Sequence, residues 1–390
     1  MAFATIDLTK GVTGVLPSAN ATYSTPRDNA APLIINGNMA VAQRSTSVTS
    51  ITSGGFKTVD RFKLNLNSLG TWTQTQNTLS ASDTPFTHGF TKSLKMDVTT
   101  ANSSPSASAD CQIYYLPEGQ DLQLLKKGTA NAEKITIGFW IKATKTGTNI
   151  LAIYDRDNNR LNSQSYTVSS SDTWEYKVVN FPADTTGAID NDNNKSFELR
   201  WVLAVGSDLT SGSLQTTWAT YTNANYAVGQ VNNADSTSNN WEITGVQLEV
   251  GEFTSATLPP FQFESFGDNL ARCQRYFTMI ADGRLGGGSN EALIGAGYCH
   301  ATNSNYFADG ILPVKLRTYD PSIFTVTGTS NYKALRDNGE DYFDNLVMYS
   351  QYNSQGFSVN GTGNVSATQG HGIQMRLGSS STYLGVDSEL

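Results

Sequence analysis

Aromatic rings in polar surroundings recur along this chain, and the pairing suits one kind of chemistry. Trp140 is the odd member of a strand face otherwise made of Lys134, Thr136 and Lys142. Trp218, Tyr221 and Tyr226 lie in a loop-like stretch from Gly206 to Asn240. Tyr298, Tyr306, Tyr349 and Tyr352 are spread through a last third rich in Gly, Asn, Ser and Tyr. Sugars lay their C–H faces on such rings and direct hydroxyls to amides and carboxylates, so these residues are the candidate ligand-binding set. Sites of that kind are shallow and individually weak, and avidity comes from multiplying them. The competing use of the same rings is packing, in a core or between subunits.

Two other chemistries are open to inspection. Asp155-Arg-Asp157-Asn-Asn159 and Asp190-Asn-Asp192-Asn-Asn194 set oxygen ligands at alternate positions. Calcium favours such clusters, which makes Asp155, Asp157, Asp190 and Asp192 candidate ligands of a structural calcium ion. Neither run completes an EF-hand, and plain turns are the alternative reading. Catalysis has weaker support. His88, His300 and His371 lie far apart, and the chain has no GxSxG, HExxH or Walker motif. A glycan hydrolase would need two carboxylates about 5–9 Å apart across a groove, a pairing that spacing alone does not reveal. The expectation is therefore a protein that binds and is not an enzyme.

The elements that must hold these side chains are strands. Only 15% of residues are charged, against a usual quarter or so, while aromatics reach 10%. Ile135, Ile137, Phe139 and Ile141 share one parity, as do Phe197, Leu199, Trp201 and Leu203, which marks two strands with a buried face. Glu198, Arg200, Val202 and Ala204 take the other face of the second. From Trp241 to Val250 the alternation breaks once, and a bulge at Thr244-Gly245 would return Ile243, Val246, Leu248 and Val250 to one face. Beyond Pro259-Pro260, Asp268 could cap a short helix with Leu270, Cys273, Gln274 and Phe277 on one side. Alternation at 322–327 suggests further strands. The fold class expected is all-β: an extended arm over 1–32, a jelly-roll sandwich over 33–265, a linking helix over 266–277, and a smaller sandwich over 278–390.

Net charge is −8 and no basic run exists, which argues against nucleic acid. No apolar run approaches the roughly 20 residues of a membrane span. Three cysteines without a CxxC spacing argue against a disulfide framework or zinc site and read as buried small hydrophobes. The first residues lack signal-peptide features, so synthesis in a cytoplasm is expected.

One family pattern is visible. Trp241-Glu-Ile-Thr-Gly-Val-Gln-Leu-Glu-Val-Gly251 followed by Leu270-Ala-Arg-Cys-Gln-Arg-Tyr-Phe277 resembles a module of bacteriophage tail-fibre and other virion appendage proteins. Leu33-Ile-Ile-Asn-Gly-Asn-Met-Ala-Val-Ala-Gln-Arg44, Val59-Asp-Arg-Phe62, Ser93-Leu-Lys-Met96, Lys134–Ala143 and Thr173-Trp-Glu175 resemble its other pieces, in the same order. Gly11–Asn20 is similar to a segment near the start of many such fibres, and Leu312–Ile323 to their terminal domains. The resemblance implies a jelly-roll like carbohydrate-binding modules, which often hold a structural calcium. It also implies a homotrimer, contact with other virion proteins through residues 1–32, a place on the virion, and attachment to host surface glycan. Alternatives are a head fibre or capsid decoration without receptor duty, and a glycan-degrading depolymerase.

Overall fold

A computed structural model describes residues 31–285, 292–326, 328–350, 355–362 and 365–390, except the side chains of 349 and 350. Thirteen strands build the first unit: β1 (Ser47–Ile51), β2 (Gly55–Phe56), β3 (Phe62–Asn67), β4 (Thr71–Thr78), β5 (Lys92–Thr100), β6 (Asp110–Tyr115), β7 (Ile135–Ala143), β8 (Gly147–Asp155), β9 (Arg160–Val168), β10 (Glu175–Phe181), β11 (Phe197–Val205), β12 (Ala219–Thr220) and β13 (Asn240–Val250). They form one sheet in the order β1-β4-β5-β13-β7-β10 and a second in the order β12-β9-β8-β11-β6-β3-β2. The chain passes back and forth between the two sheets, and every pairing is antiparallel. Between them lies one core. Ile135, Ile137, Phe139 and Ile141 of β7 meet Phe197, Leu199, Trp201 and Leu203 of β11 there. The protein is all-β in class, a pair of β-sandwiches.

The break in the β13 alternation is the bulge that its apolar pattern requires. Pairing with β7 shifts register between Thr244 and Gln247, and Gly245 takes a φ of 63°. Ile243, Val246 and Leu248 are buried, and Val250 packs against the same core.

Helix α1 (Phe266–Gln274) follows, and here the residue expected to cap it is corrected. Ser265 is the N-cap: its Oγ accepts from Asp268 N at 3.2 Å and donates to the Asp268 carboxylate at 2.7 Å. Asp268 thus sits three residues inside, closing a reciprocal pair like a capping box. Replacing Ser265 with alanine is expected to cost about 1 kcal/mol in denaturant unfolding. The buried side of the helix is Asn269 and Cys273, with Leu270 half-buried. Phe277 has already left the helix and opens the next strand. Arg275 and Tyr276 grip Glu118, which is fully buried: both carboxylate oxygens accept from the guanidinium at 2.8 Å, and one accepts from the Tyr276 hydroxyl at 2.6 Å.

The second unit comprises β14 (Phe277–Asp282), β15 (Leu293–Ala301), β16 (Asn305–Ile311), β17 (Ser322–Thr325), β18 (Tyr332–Arg336), β19 (Gly339–Phe343), β20 (Leu346–Ser350), β21 (Gly356–Thr362), β22 (Gly372–Leu377) and β23 (Tyr383–Asp387). A sheet ordered β14-β23-β17 packs on one ordered β19-β18-β22-β15-β16-β21-β20, around a core that includes Tyr306, Met375, Leu377 and Val386. Cys111, Cys273 and Cys299 are free and buried. Most of the N-terminal arm, residues 1–30, lies outside the described residues. Where the chain enters, Pro32 O accepts from Arg272 and Leu33 O from the Tyr115 hydroxyl. Among the described residues no helix is long and apolar enough to cross a membrane.

Candidate functional site

Because β7 turns its odd positions inward, Thr136, Gly138, Trp140 and Lys142 face outward. Tyr176 of β10 pairs directly with Trp140, and their rings stand 5.1 Å apart at 50°. Two glycines leave room around them. A Cβ on Gly138 would come within 2.5 Å of Leu258 and 2.6 Å of the Tyr176 hydroxyl. One on Gly245, in the bulge, would come within 2.8 Å of Phe90. The space is taken by a strap, residues 253–264, which crosses the outer face of the sheet after β13. Pro259 O holds it down by accepting from Gln247 Nε2 at 2.9 Å. Phe261 and Phe263 of the strap close on Phe90, with ring centroids 4.8–5.0 Å apart. His88 lies 5.1 Å from Trp140 on the open side.

The result is a cleft of about 400 Å³ with Trp140 and Tyr176 on its floor and Leu258, Pro259, Pro260, Phe261 and Phe263 as one wall. Its polar groups are the Tyr176 hydroxyl, the His88 ring and the Ser255 hydroxyl. Burial, aided by the charge of Glu249, pushes the Tyr176 phenol up to about 12, so it remains a neutral hydrogen-bond donor at working pH. Among the described residues lining the cleft there is no carboxylate. Just outside, Asp83 accepts from Trp174 Nε1 at 2.9 Å, while Lys142 sits 4.8 Å above the Trp174 ring. Burial pulls the Asp83 carboxyl up, but hydrogen bonds from Ser80 and Trp174 and the charge of Lys142 outweigh it and hold it low. This arrangement offers ring faces and hydrogen-bonding tips, without a pair of carboxylates.

Of the other rings singled out in the sequence, several turn out to be packing. Trp218 stacks on Phe197 at 6.0 Å and donates to Pro182 O at 2.7 Å. Tyr226 is 0% exposed, with its hydroxyl on Gln112, and Tyr306 is 0% exposed, with its hydroxyl on Asp341. Tyr221 lies half-buried between Tyr154 and Tyr226. One cause unites Tyr221 and Tyr226, whereas Trp218 packs at the edge of the main core. The stretch after β11 folds back over the outer face of the second sheet and covers Ile150, Ala152, Leu161 and Val202. Arg200 is clamped beneath it, bonded to Glu198 and flanked by Tyr114, Tyr154 and Tyr226. A hint was present, since Val202 and Ala204 make β11 apolar on both parities, the mark of a strand covered on both sides. Tyr298 is exposed on the second unit. Tyr352 and the side chain of Tyr349 lie outside the described residues.

The calcium expectation is also corrected. The two Asp/Asn loops do adjoin, for Asp157 Oδ2 accepts from Asp190 N at 3.0 Å. Yet the carboxylates do not converge. Asp192 caps its own turn by accepting from Asn194. Asp155, wholly buried, receives the Lys127 ammonium at 2.5 Å. That ammonium also lies 3.0 Å from Asp184 and donates to the carbonyls of Thr186 and Gly187 at 3.1 and 2.8 Å. A lysine thus fills the oxygen cage. Among the described residues no group of three His, Cys, Asp or Glu side chains is placed to hold a metal ion.

Tyr176, Phe90, Phe261 and Phe263 carry no mark in the sequence as site residues, and His88 enters there only as an isolated histidine. They come from three segments distant in sequence, and only Trp140, a tryptophan on a polar face, signalled that something would be built there.

No family model matches the sequence, and no curated protein matches it. Solved structures give distant likenesses. The enzymatically active domain of bacteriophage CBA120 tailspike protein 4 aligns over 56% of this chain and 21% of its own, at 12% identity and a TM-score of 0.28. The family 11 carbohydrate-binding module of a Clostridium thermocellum cellulase aligns over 53% of this chain and 98% of its own, at 11% identity and a TM-score of 0.26. The CBM22-1–GH10 modules of a Clostridium thermocellum xylanase, solved with xylohexaose, align over 56% and 30%, at 10% identity and a TM-score of 0.27. The matched part is thus about a fifth of the tailspike domain's length. Likeness at this distance does not bear on function.

Proposed function

We propose that this protein binds glycan without cleaving it, and that the cleft over Trp140 and Tyr176 is the saccharide subsite. The observation that carries this reading is a pair of half-exposed rings flooring an open cleft whose lining holds no carboxylate. A pyranose can lay its C–H face on Trp140 while its hydroxyls reach Tyr176, Ser255 and His88. Leu258 and the strap phenylalanines shed water around the stack, which strengthens each hydrogen bond. A hydrolase would need two acids flanking the bond, and this cleft's lining supplies none.

The wider role follows from the ordered sequence motifs. The chain is a component of a bacteriophage virion, a tail fibre or receptor-binding protein, assembled as a homotrimer and joined to other virion proteins through residues 1–32. Host surface glycan is its target. Threefold repetition would turn a weak subsite into useful avidity.

A glycan array probed with the purified protein tests the binding reading. At least one glycan class should be retained, and Trp140→Ala should weaken its Kd about tenfold or more, as expected for loss of a stacked ring worth over 1 kcal/mol. Unchanged affinity in that variant would remove the cleft from consideration. Antibody labelling of intact particles tests the virion reading: label on tail fibres supports it, and label on the capsid favours the decoration alternative.

A further inference from the structure

The second unit presents a sheet face whose rows can be read from strand register. On β15, Ala296 and Tyr298 point outward, and Tyr298 is 44% exposed. Its partner on β16 is Phe307, whose ring lies nearly parallel at 26° and 6.1 Å, so one side of Tyr298 is buttressed. Its partner on β22 is Gly372, which has no side chain. Among the described residues even a Cβ there would meet nothing within 4 Å, and the same holds at Gly370. His300 stands 6.2 Å along the same strand at 58°, and toward Gly372 the Tyr298 ring borders open space among the described residues. In the adjacent row, Ala296 lies between Gln374 of β22 and Asp309 of β16, both exposed on the same face. Rows on one face are about 7 Å apart along a strand, and neighbouring strands about 4.8 Å apart.

We infer that Tyr298 is the floor of a second saccharide subsite, separate from the cleft over Trp140. A pyranose ring stacks on the free face of Tyr298, above Gly372. Its hydroxyls extend over Ala296, where the Asp309 carboxylate accepts from two neighbouring hydroxyls and Gln374 Nε2 donates to a third, the Gln374 Oε1 being held by Arg376 at 2.8 Å. Ala296 and Gly372 matter through their small size, because a larger side chain at either would lift the sugar off the ring. The ligand is a neutral sugar with adjacent hydroxyls on one edge, since Asp309 would repel a uronic acid at that edge. This inference rests on the reading of the chain as a glycan binder but not on the first cleft.

The test is NMR titration of protein labelled on its tyrosine and tryptophan rings, with cellohexaose, maltohexaose and chitohexaose as probes, each to about 10 mM, a range that covers Kd values near 1 mM. The Tyr298 signal, identified by its loss in Tyr298→Leu, should shift saturably with at least one hexaose. Asp309→Asn and Gly372→Val should each weaken that response about tenfold, while the Trp140 indole responds as in the wild type. Both positions are on the surface, and an unchanged spectrum elsewhere confirms folding. If no probe shifts Tyr298, or if the shift survives both substitutions, the second subsite is wrong. If the Tyr298 response persists in Trp140→Ala, and Trp140 itself never responds, the second subsite stands and the first falls.

Discussion

Replacing Lys127 with methionine should destabilise the protein by about 3–5 kcal/mol, the usual cost of removing one partner from a buried ion pair. The lysine is 4% exposed, Asp155 0% and Asp184 4%. Methionine matches the length of the stem but leaves two buried carboxylates and the Thr186 and Gly187 carbonyls facing an apolar tip. Arg160 still bonds Asp184 at 2.8 Å, so Asp155 is the group stranded. Urea unfolding of the two proteins checks this, and a loss under about 1 kcal/mol would mean that the cage closes without its cation. The pH dependence has a definite sign. Burial pulls the Asp184 carboxyl up, but Arg160 and Lys127 outweigh it and hold it below its ordinary value. Its contribution is therefore present above the ordinary carboxylate range and fades as pH falls through the lowered value. The gap between wild type and variant should narrow in acid.

Lys127 also shows where a sequence stops being readable. Beside Lys126, it looks like one of two surface lysines. Only the fold buries it, by bringing the end of β8 against the 184–187 turn. The strands were legible for the opposite reason. Their apolar residues recur every second position, and burial acts on that period directly. The β13 bulge could be placed to the residue because Ile243 and Val246 cannot share a core without it. Alternation reports which side a ring takes but not what lies across from it, so Trp140 stood out while Tyr176, its direct partner, did not. For Tyr226 even the side was hidden, since a loop carries no period, and its burial depends on the sheet it lands on. At the helix, Asp268 marked a start, but that Ser265 is the cap and Asp268 lies three residues inside depended on where the first turn began.

Substituting Arg61 with alanine should be at least as damaging, about 3–5 kcal/mol, and should loosen one unit from the other. Arg61 is 0% exposed and bonds Glu389 from the far end of the chain. It also donates to Leu116 O at 2.5 Å and lies 3.4 Å above the Tyr276 ring. Arg44 works beside it, pairing with Asp387 at 2.9 Å and lying 3.7 Å above Phe277. With Arg61 gone, Glu389 stays buried at 4% exposure, 3.6 Å from Arg44, which must then serve Asp60, Asp387 and Glu389 alone. The expected signs are a lower denaturation midpoint and faster proteolysis in the strap and helix, residues 253–275. A wild-type cleavage rate there would mean that Glu118, through Arg275, holds the junction unaided. Asp60 adds a pH signature of its own. Burial raises its carboxyl to about 6, against the pull of Arg44 and Gln43. The native state then holds a proton that the unfolded chain has released, so this group's contribution declines as pH rises from the ordinary carboxylate range to about 6, and is level above that. Asp60→Asn should flatten that part of the stability profile while leaving the acid limb set by Asp184 and Glu118. The junction is thus expected to be tightest in mild acid, where Asp60 is neutral while Glu118, whose carboxyl Arg275 and Tyr276 hold low against its burial, still carries its charge.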